Sequence, residues 1–413
     1  MLPDQVFAAH GIQTRRAGSW LAINASWRGG ENFSVHVHPV SGGWVDKVSG
    51  EKGNFSKLVK KLGLGEEAKI AVDKDAVEQA RQASYLERAA KQKKAISIYE
   101  QAYPIGRALD PQVELHGKTA SQKAYWRDAE AHIMNYLESR GGKDAAIAAG
   151  ARWTTLSKRE GQRPEPCIVW PIRDLENGKM IGIQREWGRG HENKRMLGSH
   201  IATKVESGGF GSHATTKVEA GGFVLQGQPN KVYLAEGMQT AAAVWRATGC
   251  ITACLYDTSG MQNPPIKAIS RARPGTEIVF AGDRDANRAG QTAALLGASK
   301  VASANPDLKV SVVFPPNIGE DWADMQGGVL DRLTSAAFTV VAERRRIFSG
   351  KAVPLDKGNF AVVDKCRREV RVFGSKEVDR MPEFGKPVVV ARGPRGGYRV
   401  TQEQDRVLQR GVT

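Results

Sequence analysis

Five carboxylates in the second half of the chain have the types and spacing for chemistry on phosphate. Glu236 closes the apolar run "VYLAEG", Asp283 and Asp285 close "EIVFAGDRD", and Asp321 and Asp324 follow in "VVFPPNIGEDWAD". Asp283 and Asp285 stand one residue apart, and carboxylates so placed at a strand end repel each other unless a cation lies between them. Hard oxygen donors of this kind suit Mg²⁺ or Mn²⁺. Two such ions about 3.5–4 Å apart can clamp the attacking and leaving oxygens of a phosphoryl transfer. A single strand-end carboxylate is ordinarily a solvated loop charge. Three clusters after successive strands call for more than that.

The elements around them fit such a site. From Lys231 strand and helix patterns alternate: "KVYLAEG", "MQTAAAVWRATG", "CITACLYD", "NPPIKAISRAR", "TEIVFAGDRD", "AGQTAALLGASKVA" and "KVSVVFPP". This alternation predicts a parallel α/β sheet, in which ligands bind beyond the carboxyl ends of the strands. A helix through "VLDRLTSAAFTVVAERRRIF" is expected to end the unit. Upstream, residues 1–64 read as a small β-rich unit, 65–120 as a helical linker, and 121–228 as an α+β segment. That segment holds the helix "SQKAYWRDAEAHIMNYLESRGG" and the strands "PCIVWPIRD" and "KMIGIQREW". It also holds a tandem repeat, "SHIATKVESGGFG" then "SHATTKVEAGGFV", identical at nine of thirteen positions. Two units are too few for a solenoid, so the copies are expected to extend a hairpin or loop. Residues 229–348 are the parallel unit, and 349–413 a small β-rich tail whose residues 351–413 carry a net +6.

Bulk composition narrows the partner. The 413 residues carry 60 Lys and Arg against 44 Asp and Glu, a net +16, which favours a polyanionic partner. The four cysteines are scattered with no Cys-x-x-Cys pair, so no zinc ribbon or disulfide framework is supported. No signal peptide is recognised and no run approaches 18 apolar residues. A soluble, cytoplasmic protein with no membrane partner is expected. No Gly-x-x-x-x-Gly-Lys-Ser/Thr occurs, so a replicative helicase would be a separate partner.

"YLAEGMQTAAAVWRATG" followed by "FAGDRDANRAGQTAA" resembles the Toprim domain, which is shared by bacterial-type primases, type IA and II topoisomerases and some nucleases. The resemblance rests on Glu236-Gly237 at one strand end and Asp283-Arg284-Asp285 at a later one, and covers about residues 229–330. It implies a Toprim parallel sheet core, with Glu236 as general acid/base and Asp283 and Asp285 carrying divalent ions. "PPNIGEDWADM" resembles the third acidic element of the phage and plasmid primase branch. By that likeness Asp321 is the preferred further ligand and Asp324 the next.

The flanks favour primase. "YLESRGGKDAAIAAGARW" resembles the element that opens the primase core of mobile-element proteins. "CIVWPIRDLENGKMIGIQREW" and "NKRMLGS" resemble the basic subdomain lying across the catalytic groove. There Lys194, Arg195 and Arg185 would face a template phosphate or an incoming triphosphate. The first domain resembles a primase zinc ribbon whose ligand positions are held by Ala25, Arg28, Asp46 and Ser49. Only Asp46 could bind zinc, and His10, His36 and His38 have no thiolate nearby. The resemblance as a whole implies synthesis of short RNA primers on single-stranded DNA from ribonucleoside triphosphates. A Toprim nuclease, or a DNA-binding replication or defence factor that does not polymerise, are the alternatives. Type IA topoisomerase is disfavoured because the chain has little room for the toroid bearing its tyrosine.

The purified protein is expected to hold no stoichiometric zinc, which elemental analysis checks. A finding of about one zinc per chain would mean that other residues of the first domain supply ligands.

Overall fold

Short apolar runs broken by glycines and polar turns give residues 15–53 short strands rather than long helices. The fold is that of a computed structural model, which describes residues 3–17, 20–28, 33–39, 42–46, 51–64, 74–107, 119–188, 193–198, 201–206, 215–325, 328–341, 347–355, 358–393 and 397–402. The chain divides into two compact units, Met1–Ala89 and Ala90–Thr413.

In the first unit, helix α1 (Pro3–Ala9) precedes strands β1 (Arg15–Ala17), β2 (Trp20–Ile23), β3 (Val35–Val37), β4 (Trp44–Asp46) and β5 (Lys52–Gly53), and helix α2 (Phe55–Lys61) closes it. The strands form one antiparallel sheet in chain order. Asn54 caps α2 by accepting from Lys57 N at 3.0 Å. Phe7, Ile23, Val35, Val37, Trp44 and Leu58 make an apolar core that also buries Ala25. Asp46 is buried as well, whereas Ser49 and the Arg28 side chain lie outside the described residues.

The second unit begins within α3 (Lys74–Gln101). It continues through β6 (Tyr103–Pro104), α4 (Ala120–Ser139), α5 (Lys143–Ala148), β7 (Arg152–Leu156), β8 (Glu165–Asp174), β9 (Met180–Glu186) and β10 (Lys194–Gly198). The strands β6 to β10 pair antiparallel in chain order. A Thr119–Gln122 capping box starts α4. The tandem copies pair with each other: β11 (Ile201–Glu206) lies antiparallel to the start of β12 (Thr215–Leu225). The repeat therefore extends a hairpin, as expected, and the His200 and His213 positions lie outside the described residues. Past the hairpin β12 pairs with β8, stitching the two sheets together.

The parallel core follows the expected alternation. It comprises β13 (Gln228–Ala235), α6 (Met238–Thr248), β14 (Cys250–Cys254), α7 (Thr258–Gln262), α8 (Ile266–Ile269), β15 (Glu277–Ala281), α9 (Ala289–Ala304) and β16 (Lys309–Val313). The strand order β14-β13-β15-β16 is parallel throughout. Every residue of β15 is buried: Ile278 to Ala281 are continuously apolar, and Glu277 at its start is held by Ser311, Lys231 and Lys309. The last expected helix is shorter: α10 (Val329–Ser335) stops, and the β-branched Thr339 and Val340 enter β17 (Phe338–Val340), antiparallel to β16. The remaining strands are β18 (Ile347–Pro354), β19 (Asn359–Asp364), β20 (Glu369–Gly374), β21 (Pro387–Arg392) and β22 (Tyr398–Gln402). They continue the same sheet through a β17–β20 pairing and have their own core of Phe348, Phe360, Phe373 and Tyr398.

Helix α9 is fixed against α7 by close approach. A Cβ on Gly297 would overlap Met261 O and stand 2.9 Å from the Phe280 ring. Glycine to alanine within a helix ordinarily stabilises by about 0.5–1 kcal/mol. Here Gly297→Ala is expected to destabilise by about 1–3 kcal/mol, because the backbone must shift. Chemical denaturation checks the sign.

Candidate active site

Two of the three acidic loops are zipped together by backbone bonds, and the start of α6 after Glu236 is tied to them by Thr240. Glu236 follows β13 directly, and Gly237 starts α6 with no side-chain cap. The 283–285 loop pairs with the loop after β16: Arg284 N donates to Glu320 O at 3.1 Å, and Gly319 N donates to Arg284 O at 2.6 Å. The fully buried Trp322 donates Nε1 to Gly282 O at 3.0 Å, which pins Asp321 beside Asp283.

A cleft of about 500 Å³ opens there, lined by Glu236, Asp283, Asp321, Asp257, Thr240 and Lys194 among others. Asp283 Oδ1 accepts from Thr240 Oγ1 at 3.0 Å. Asp285 Oδ2 accepts from Gly290 N at 2.7 Å, at the start of α9. Gly290 is required by approach: a Cβ would stand 3.0 Å from Asp285 Oδ2 and 3.2 Å from Glu236 Oε2. Glu236 Oε2 is buried with no hydrogen-bond partner. Asp321 Oδ1 accepts from Ala323 N and Asp324 N, at 2.8 and 2.9 Å. Asp324 is exposed and does not line the cleft.

The electrostatics record the crowding. Burial, then the charges of Asp283, Asp285 and Asp257, push the Glu236 carboxyl up to about 8. Burial and Asp321 push Asp283 up to about 7, against the lowering effects of the Thr240 hydrogen bond and the Lys194 charge. Both groups thus hold protons into the neutral range, as uncompensated carboxylates do. Among the described residues no three His, Cys, Asp or Glu side chains gather tightly enough to cage an ion by themselves.

Residues 231–329, which include Glu236, Asp283, Asp285, Asp321 and Asp324, match the Toprim domain family. The chain contains a Toprim domain. Among solved structures it is similar to the DnaG catalytic core, at 16% identity and TM-score 0.37, over 53% of this chain and 76% of that one. It is similar to the DnaG primase catalytic domain bound to ssDNA at 15% identity and TM-score 0.37, over 62% and 81%. It is similar also to the zinc-binding and RNA polymerase domains of Aquifex aeolicus primase at 16% identity and TM-score 0.35, over 81% and 85%. No curated protein matches the sequence. At these values the functional reading rests on the Toprim site's own residues. Among the described residues no helix is long and apolar enough to cross a membrane.

The three cations expected across the groove are divided by strand alternation. Lys194 pairs with Glu186, and Arg195 with Arg185, across β9 and β10. Cross-strand partners share a face and successive residues alternate. Lys194, Met196 and Gln184 therefore line the Toprim cleft. Arg195 and Arg185 lie on the opposite face, where their strand neighbours Ile183 and Leu197 pack with Ala95 and Tyr99 of α3. Arg185 stacks on Trp187 at 5.4 Å instead.

Sequence reasoning missed a polar network beside the cleft. Glu186, only 1% exposed, accepts from Tyr136 Oη at 2.9 Å and from Trp170 Nε1 at 2.8 Å. Gln239 donates to Tyr136 Oη at 3.1 Å and accepts from Arg140. Tyr136 and Arg140 belong to the "YLESRGG" element, so that element grips the first turn of α6, three residues from Glu236. Thr240 stands in the first turn of α6 and bonds Asp283, 43 residues away in the chain, so no local spacing in the sequence marks it.

A raised carboxyl pKa contributes stability at low pH that is lost as pH climbs. Glu236 and Asp283, ordinarily at 4.5 and 3.8, titrate at about 8 and 7 here, so the loss runs from about pH 4 to pH 8. The chelator-treated protein is expected to melt progressively lower across that window, and Glu236→Gln to blunt the fall. Calorimetric melting temperatures at pH 5, 6.5 and 8 check it. Parallel profiles for wild type and variant would contradict the assignment.

Proposed function

We propose that the protein is a primase-like nucleotidyltransferase of the branch carried by phages, plasmids and other mobile elements. It would join ribonucleotides into short primers on single-stranded DNA. The observation that carries the reading is one cleft lined by Glu236, Asp283 and Asp321 with Lys194 facing them.

The carboxylates fit Mg²⁺ or Mn²⁺. The donors are all oxygen, Glu236 Oε2 is buried without a partner, and glycine at 290 leaves the space between Glu236 and Asp285 clear. Asp283, Asp285 and Asp321 would hold the ions with Glu236 sharing one, and Asp324 stands outside the cleft. The site is open, so water or substrate oxygens would complete it. When bound, the ions neutralise phosphate charge and align the reacting oxygens.

The protein's own groups supply the rest. Lys194 would hold a phosphate of the nucleotide or the template against the acidic wall. Glu236, titrating near neutrality, suits proton exchange with the attacking 3′-hydroxyl. The new bond joins that oxygen to the α-phosphorus, the bond to the β-phosphate breaks, and pyrophosphate leaves. Thr240 holds one Asp283 oxygen in place throughout. The net +16 charge accords with a DNA partner.

Labelled ribonucleotides, single-stranded DNA and Mg²⁺ or Mn²⁺ test the reading, scored for short RNA against DNA fragments. Short RNA is expected; cleaved DNA with no RNA would assign the site to a nuclease. Asp283→Asn is expected to lower product formation at subsaturating Mg²⁺ by on the order of 10²–10³-fold, with an unchanged circular dichroism spectrum. Wild-type activity would remove Asp283 from the site. Lys194→Ala is expected to flatten the salt dependence of binding by about 0.7, the slope of one single-strand phosphate contact.

A further inference from the structure

Arg284 stands between Asp283 and Asp285, yet its side chain leaves them. Its Nη1 donates to Pro315 O at 3.3 Å and also to Pro316 O. Arg332 of α10 donates Nε to Phe314 O at 3.0 Å. Two guanidinium groups thus sit on three consecutive backbone carbonyls. Arg368, exposed at the turn between β19 and β20, lies close enough for its charge to act on Arg332. Its backbone is left-handed, at φ 55°, in a turn where glycine would fit without strain.

These three charges have no acidic partner among the described residues, although the neighbouring Arg367 reaches Asp364 at 3.8 Å. Glu320 in the same loop accepts instead from Asn317 on both carboxylate oxygens, at 2.9 and 3.2 Å. Backbone carbonyls take up some N–H donors but leave each net charge intact, and a guanidinium offers five donors in a planar fork. Burial together with the Arg284 and Arg368 charges lowers the Arg332 pKa, the sign of cations held close without an anion.

Topology places the cluster on the working edge of the sheet. β17 runs antiparallel to β16, with Val312 opposite Phe338, and parallel to β20, with Thr339 beside Glu369. The end of β16 and the starts of β17 and β20 therefore share the edge that carries Glu236 after β13 and Asp283 after β15. From β15 to β20 is three strand spacings, about 14 Å, a reach that a nucleic-acid strand leaving the cleft covers with a few phosphates.

We propose that Arg284, Arg332 and Arg368 form a phosphate-binding site at this edge, beyond the acidic cleft. The planar fork matches phosphate oxygens in pairs. The phosphate belongs either to a nucleic-acid backbone or to a free nucleoside triphosphate. The site rests on guanidinium chemistry and not on primer synthesis, and it is read by binding, so failure of polymerisation leaves it standing.

The test uses the full chain with two probes, a labelled oligo-dT strand and ATP, each titrated over a range of salt. Arg284 is left in place because it joins the two aspartates. Arg332→Gln with Arg368→Gln is expected to weaken one probe and to lower its salt slope, by about 1.4 for oligo-dT at 0.7 per contact. Loss confined to oligo-dT assigns a strand phosphate, and loss confined to ATP assigns the nucleotide. Arg332→Lys with Arg368→Lys is expected to keep most of the slope. Arg368→Gln alone touches only an exposed side chain, so it guards against misfolding of the double variant and is expected to lower the slope by about 0.7. Wild-type affinity and slope for both probes in the Gln variants would overturn the proposal.

Discussion

Like charge gathered at the edge of an apolar sheet is the constraint that the rest of the second unit serves. Glu236, Asp283 and Asp321 line one cleft, and Asp285 reaches towards Glu236 across Gly290. Apart from Lys194, no cation lines that cleft among the described residues. Left alone, the loops would gain by spreading apart. They are held by bonds that carry no charge of their own: Trp322 on Gly282, the backbone exchange of Arg284 with Gly319 and Glu320, and Thr240 on Asp283. The strands beneath are buried and tightly paired, so burial and then repulsion appear as raised carboxyl pKa values.

Holding the second wall is a different problem. Lys194 lies on a sheet that reaches the parallel core through the β8–β12 pairing and through the network around Glu186. That network joins α4, β8, β9 and the first turn of α6 in one buried cluster. A buried carboxylate that accepts from Tyr136 and Trp170 has a narrow choice of positions. The orientation of the α6 start, and with it Glu236, follows from the same contacts.

The parallel core was legible in the sequence because its signals agree. Continuous apolar runs such as "IVFA" mark buried strands, and the turns after them carry the acids. The helix after β16 was read too long, since "TVV" continues an apolar pattern whose period alone does not separate helix from strand. Pairing with β16 and β20 decided it. Arg195 and Arg185 were grouped with Lys194 because adjacent cations look alike in one dimension, and only the β9–β10 register assigns faces. The Glu186 network was invisible for a similar reason: its members lie 50 residues or more apart, except for Trp170 and for Tyr136 with Arg140. The apolar core of the first unit could be read from its frame, but not which contacts bury Asp46.

The most direct measurement is the proton balance of cation binding. Mn²⁺ is titrated into the metal-free protein at pH 7 by calorimetry, in buffers of different ionisation enthalpy. Glu236 and Asp283 titrate at about 8 and 7, so binding at their oxygens must expel protons. The account predicts a net release of about one proton per protein, much reduced in Glu236→Gln. Binding with no proton release, or the same release from the variant, would contradict it.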